Sequence, residues 1–141
     1  MSQKVHIVEV GPRDGLQSIA EKVSTVNKVK FIDMLTEAIC PEIEVASFVS
    51  PKWVPQMADA KEVTSLIKRK DQIIYTALVP NLKGLENAIK CGYHSVAVLT
   101  TASESFSLKN TNCSIEESIK RIEEMIPHCK ENKIQSVGLS D

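Results

Sequence analysis

The sequence predicts a parallel α/β fold, and three observations carry that prediction. Five short β-branched runs, at residues 5–10, 43–48, 73–79, 95–99 and from Ile134 onward, are separated by segments with helical spacing of apolar residues. No hairpin signal joins one run to the next, so consecutive strands need helical crossovers. At 141 residues, with 43% hydrophobic and 25% charged content, the chain has the size and composition of one soluble globular domain.

Each element has its own signal. The run VHIVEV at residues 5–10 is nearly continuous in β-branched residues, which suits a strand buried on both faces, and Gly11-Pro12 ends it. A loop follows through Ala20. Ser24 or Thr25 then caps a helix with Val29, Ile32, Leu35 and Ala38 or Ile39 on one side, stopped near Cys40-Pro41. The second strand, IEVASF at residues 43–48, carries Glu44 in an apolar setting, where a carboxylate requires a partner. Beyond the proline-broken loop VSPKWVPQM, Asp59 and Glu62 form the pattern of a capping box for a helix with Val63, Leu66 and Ile67 inward and residues 68–70 basic at its end. Pro80-Asn81 closes the third strand. Asn81 caps a short helix with Leu82, Leu85 and Ile89 buried, and Gly92 ends it. After the fourth strand a polar loop, TTASESFSLKNTNC, leads to the clearest capping box of the chain, Ser114 with Glu117, and a helix whose apolar positions are Ile115, Ile119, Ile122 and Ile126.

Composition removes several functions. A formal charge of -1 with scattered lysines lacks the basic footprint of a nucleic-acid binder, and no run is long enough for a membrane span. The four cysteines have no CxxC spacing, so they read as reduced thiols rather than a zinc or redox motif. Without an apolar or Arg-rich leader, the start fits a cytoplasmic protein, or a mature chain of the mitochondrial matrix.

Pattern and length leave two architectures open. A five-stranded doubly wound sheet of the flavodoxin-like kind fits the length best, and the first half of a (β/α)8 barrel is the competitor. Both put function beyond the carboxyl ends of the strands. There the chain places Arg13, Asp14 and Gln17, then Glu44 and Ser47, then Asn81, and then Ser103, Glu104 and Asn110. Arg13-Asp14-Gly15 taken alone is an ordinary surface turn. Two carboxylates and an arginine without a nucleophile or phosphate loop suit metal-assisted carbonyl chemistry.

The segments VEVGPRDGLQ, EVASFVSPKWVPQMAD, LVPNLKGLENA and SESFSLKNTNCSIEES closely resemble the hydroxymethylglutaryl-CoA lyases of the DRE-TIM metallolyase family, over nearly the whole chain. That resemblance implies a (β/α)8 TIM barrel, of which residues 1–141 supply the first four βα units and the start of strand five, and it overturns the flavodoxin-like preference. It further implies Mg²⁺- or Mn²⁺-dependent retro-Claisen cleavage of 3-hydroxy-3-methylglutaryl-CoA to acetyl-CoA and acetoacetate. By similarity Asp14 is a metal ligand, Arg13 stabilises the enolate oxygen and Glu44 supports it. Gln17 and Ser47 line the substrate, while Asn110 belongs to the metal or substrate shell. The implied partner is an acyl-CoA, with neither nucleic acid nor membrane, and the full-length protein is a homo-oligomer, a dimer. Related acyl-CoA lyases or Claisen-type condensing enzymes share part of this pattern, and a noncatalytic half-barrel that self-associates is a further alternative.

The chain departs from the family pattern in three places, one of them the final SVGLSD, with Leu139 where the family usually has an aromatic. His6, His94 and His128 are isolated, so the family's late His-x-His ligand pair has no counterpart, and none of the cysteines lies in a Gly-Gly-Cys-Pro loop. The expectation is therefore an N-terminal fragment, inactive by itself, with open sheet edges and barrel-interior side chains such as Ile7, Ile43 and Val45 lacking their opposite layer. Cys113 reads as filler, Lys52 as solvated, residues 68–70 as a helix terminus, and Trp53 and Met57 as either a substrate entrance or loop packing.

Overall fold

A computed structural model describes residues 2–140. Five parallel strands lie in sequence order: β1 (Val8–Glu9), β2 (Glu42–Ser47), β3 (Ile74–Leu78), β4 (Ser95–Leu99) and β5 (Ser136–Ser140). Helices α1 (Thr25–Glu37), α2 (Ala60–Leu66) and α3 (Leu82–Lys90) make the first three crossovers, and α4 (Glu104–Thr111) with α5 (Ile115–Glu131) makes the fourth. The unbroken order is that of a barrel wall, not of a doubly wound sheet, in which the order reverses at a switch point. Ile32, Val63, Leu85 and Met125 put α1, α2, α3 and α5 on the same side of the sheet.

Side-chain contacts identify the two faces. Ile43 and Val45 of β2, Tyr75 and Ala77 of β3, and Val96 and Val98 of β4 form one buried cluster with Ile32, Val63, Leu85 and Met125 of the helices. Tyr75 also shares a 3.0 Å hydrogen bond with Thr36 of α1. The alternate residues point to the concave side, where Thr76 donates to Glu42 at 2.6 Å and meets Ser95 at 2.8 Å. Ile43 and Val45 are thus not orphaned barrel-interior groups: they are helix-side core, and the interior layer of this wall carries Glu44, Thr76 and Ser95 together with the buried Leu78.

Other expectations are corrected at the margins. The first strand is two residues long, an edge strand with β2 as its single neighbour and Val8 40% exposed, and Val5 and Ile7 of the predicted run lie before it, 83% and 62% exposed. The loop after β4 contains α4, whose polar sequence has no apolar stripe; Ser103 caps it by accepting from the Phe106 N–H. In α5 the Ser114–Glu117 capping box forms, yet Ile119 and Ile126 are exposed, and Ser118, Met125 and Cys129 turn inward. Asp59 sits at the start of α2 without capping it. Arg69, beyond α2, donates to the carbonyls of Gly92 and Cys91 and so closes the end of α3 instead.

Candidate functional site

Between β1 and α1 the backbone makes a π-helical turn, Gly11–Gly15, in which the N–H groups of Arg13, Asp14 and Gly15 all converge on the Val10 carbonyl. Gly11 leaves room for its neighbours, since a Cβ there would lie 2.8 Å from Glu9 Oε1 and 3.1 Å from the Phe31 ring and would displace the glutamate that accepts from the Gly11 N–H. Helical rotation sends neighbouring side chains in different directions. Arg13 turns inward and is 7% exposed, whereas the Asp14 side chain is 66% exposed. Arg13 donates through Nε to Glu44 Oε1 at 2.5 Å and through Nη1 to Asp14 Oδ1 at 3.1 Å. Its Nη2 group donates to no other described residue. Two carboxylates thereby fix the guanidinium, which has five N–H donors in all.

A β-bulge completes the arrangement. Glu44 pairs with Thr76, but the next pairs are Ala46 with Ala77 and Ser47 with Leu78, so Val45 is an extra residue. Regular alternation would send Glu44 and Ser47 to opposite faces. The bulge turns both Val45 and Ala46 toward the helices and brings Ser47 back to the concave side with Glu44. Ser47 is fully buried, and its Oγ has no hydrogen-bond partner among the described residues. The Oε1 atom of Gln17, one turn beyond Asp14, is orphaned in the same way. Two buried acceptors facing the rim without partners are what a site holds ready for a donor on a ligand.

The loops after β1 and β2 enclose a cleft of about 310 Å³ lined by Gln17, Ile19, Lys22, Trp53, Val54 and Gln56 among others. Trp53 is 75% exposed on its edge, whereas Met57 is buried and packs the loop. The cleft walls are tied through Lys28, which carries no motif in the sequence, and through Gln56 and Asp59 of the WVPQMAD segment. Lys28, 3% exposed, donates to the Gln56 carbonyl and to Asp59 at 2.7 Å, and Thr25 donates to the other Asp59 oxygen at 2.7 Å. Burial pushes the Asp59 carboxyl up, but hydrogen bonds from Lys28 and Thr25 more than offset it and hold the group below its ordinary value. A lysine at a helix position and a glutamine in a loop are each ordinary surface residues by type, so spacing gives no signal for them.

Arg13, Asp14 and Glu44 are therefore joined by ion pairs, Ser47 lies on the same face of β2 as Glu44, and Gln17 lines the cleft, to which the other four do not contribute. Asn110 does not join them through any hydrogen bond: it lies exposed on α4 and donates to Phe106 of its own helix at 3.0 Å. Cys113 is buried, with its thiol 3.2 Å from Thr111. As a donor set for a hard divalent cation, the exposed Asp14 carboxylate suits one ligand position. No group of three or more His, Cys, Asp or Glu side chains able to hold a metal exists among the described residues.

Comparison with known proteins gives a consistent picture. Residues 4–140 match the family model described as HMGL-like. The mitochondrial hydroxymethylglutaryl-CoA lyase of Macaca fascicularis is 50% identical over 138 residues, which is 98% of this chain and 42% of the relative. The 3-hydroxy-3-isohexenylglutaryl-CoA/hydroxymethylglutaryl-CoA lyase of Pseudomonas aeruginosa is 44% identical over 98% of this chain and 46% of its own length. Among solved structures, the HMG-CoA lyase from Brucella melitensis superposes with a TM-score of 0.93 at 42% identity, covering 98% of this chain and 49% of that one. The chain spans less than half the length of these relatives.

Proposed function

The chain belongs to the HMGL-like family, and from that premise we propose that it supplies the N-terminal half of a barrel enzyme that cleaves 3-hydroxy-3-methylglutaryl-CoA to acetyl-CoA and acetoacetate. The observation that carries the proposal is the Arg13 guanidinium, buried on Glu44 at 2.5 Å and beside Asp14 at 3.1 Å. In a retro-Claisen cleavage the substrate hydroxyl gives its proton to a base, its O–H electron pair becomes the ketone C=O of acetoacetate as the adjacent C–C bond breaks, and the pair from that bond moves into the thioester carbonyl as an enolate, which takes up one proton at carbon to give acetyl-CoA. A fixed cation beside that oxygen is worth more in the transition state than in the ground state. Glu44 keeps the guanidinium from rotating away. Ser47 and Gln17 offer their unpartnered oxygens to hydrogen-bond donors of the acyl-CoA, and Ser47 Oγ–H also donates.

A divalent cation, Mg²⁺ or Mn²⁺, belongs to this proposal. When bound, it lowers the cost of removing the hydroxyl proton, and Asp14 is the residue of this chain that suits it as a ligand. The described residues do not complete a coordination set, so the steps above rest on the protein groups alone. Full-length protein carrying this chain is the material for the test. Arg13→Gln lowers kcat on hydroxymethylglutaryl-CoA by about 10²–10³-fold with a much smaller change in KM. A change in KM alone reduces Arg13 to a substrate anchor. Turnover that prefers a longer-chain 3-hydroxyglutaryl thioester moves the assignment to a related acyl-CoA lyase.

A further inference from the structure

We propose that Gln56 is a positioning residue that makes the two rim loops move as one body and thereby sets the affinity of the cleft for substrate. The loop after Gln17 contains no regular secondary structure between Ser18 and Ser24, so its backbone groups need partners from elsewhere. One side chain supplies three of them. The Gln56 amide donates to the carbonyls of Ile19 at 3.2 Å and Glu21 at 2.9 Å, and its Oε1 accepts from the Val23 N–H at 3.0 Å. Gln56 is only 8% exposed, and its own carbonyl is gripped by the buried Lys28, whose charge is matched by Asp59. The chain of contacts runs from α1 through Lys28 to the second loop, and from Gln56 back to the first.

Both walls of the cleft hang on this side chain, because residues 17–22 form one wall and residues 53–56 the other. The Arg13–Glu44 pair is anchored independently, by the π-helical turn and by β2. Loosening Gln56 therefore opens the cleft around Gln17, Lys22 and Trp53 while leaving the guanidinium in place. For the reaction proposed above, on which the kinetic part of this inference rests, the consequence is weaker substrate capture with the chemical step preserved.

The test compares full-length wild type with Gln56→Leu, which keeps the bulk and removes all three bonds, and with Gln56→Glu, which keeps the acceptor for Val23 but loses both donors. Three measurements are made: amide hydrogen exchange of residues 19–23, the urea midpoint, and kcat and KM with hydroxymethylglutaryl-CoA. In Gln56→Leu the Val23 amide exchanges about tenfold faster and KM rises about tenfold, with kcat within about twofold. In Gln56→Glu the Val23 amide stays protected while KM still rises. Unchanged exchange at residues 19–23 overturns the proposal, as does a fall in kcat at constant KM. Faster exchange spread evenly over all helices, in step with a lowered urea midpoint, also overturns it by making Gln56 a general stability residue. If wild type does not turn over this substrate, the proposed reaction fails, and exchange at residues 19–23 alone decides whether Gln56 positions the loop.

Discussion

On its helix side the sheet presents Ile43, Val45, Tyr75, Ala77 and Val96, packed with the apolar stripes of four helices. On the concave side the same strands present Glu42, Thr76 and Ser95 joined by hydrogen bonds, Glu44 in an ion pair with Arg13, Ser47 with no partner among the described residues, and the buried Leu78. The difference teaches how the wall divides its work. Apolar burial on one face contributes most of the stability, so the other face can carry groups that cost stability, including a buried charge pair and a hydroxyl with no partner. Helix side and concave side respond differently to substitution for that reason.

The largest effect comes from removing the buried partner of a buried charge. Glu44→Ala leaves the Arg13 guanidinium with the exposed Asp14 carboxylate at 3.1 Å and costs about 3–5 kcal/mol by urea unfolding, more than its lost contacts alone explain. On the helix side Ile43→Ala, at 0% exposure, costs about 2–5 kcal/mol through lost transfer energy and a cavity. A Glu44→Ala cost under 1 kcal/mol would mean that the Arg13 charge is already solvated, and the contrast between the faces would fail.

A smaller effect sharpens the comparison at the loops. Asp59 has its carboxyl held below the ordinary value of 3.8, so its stabilisation is present above that pH and is lost as pH falls through the lower folded value. Asp59→Asn therefore lowers the urea midpoint at pH 7, and the gap to wild type narrows below about pH 4. A gap independent of pH from 7 to 2 would show that the Lys28 contact is not electrostatic. The smallest effect belongs to Ser47→Ala. Removing a buried hydroxyl that has no partner changes stability by about 1 kcal/mol at most, while KM for the acyl-CoA rises. A loss of several kcal/mol would place Ser47 among the structural groups.

Much of the architecture was open to reading in the residues. Apolar runs located β2, β3 and β4 within one or two residues, and local side-chain chemistry marked the caps at Ser24, Asn81 and Ser114. Local signals failed where a distant partner intervened. Asp59 has the spacing of a cap, but Lys28 and Thr25 take its carboxylate, because a buried ammonium is a stronger partner than a helix N–H. In α5, Ser118, Met125 and Cys129 rather than Ile119 and Ile126 turn inward, since the helix's orientation is chosen by what it packs against.

By itself the sequence determined the alternation of strands and helices, the parallel sense of the sheet, and the motif residues Arg13, Asp14 and Glu44 whose resemblance pointed to a lyase. Only the tertiary structure decided the unbroken strand order that distinguishes a barrel wall from a doubly wound sheet, and the clamp of Lys28, Gln56 and Asp59 between the rim loops. It also decided the bulge at Val45 that puts Ser47 on the same face as Glu44. The physical reason is range. Periodicity and capping act over a few residues and are written in neighbouring side chains, whereas strand order, a bulge and a clamp depend on groups some thirty positions apart, as Lys28 and Asp59 are.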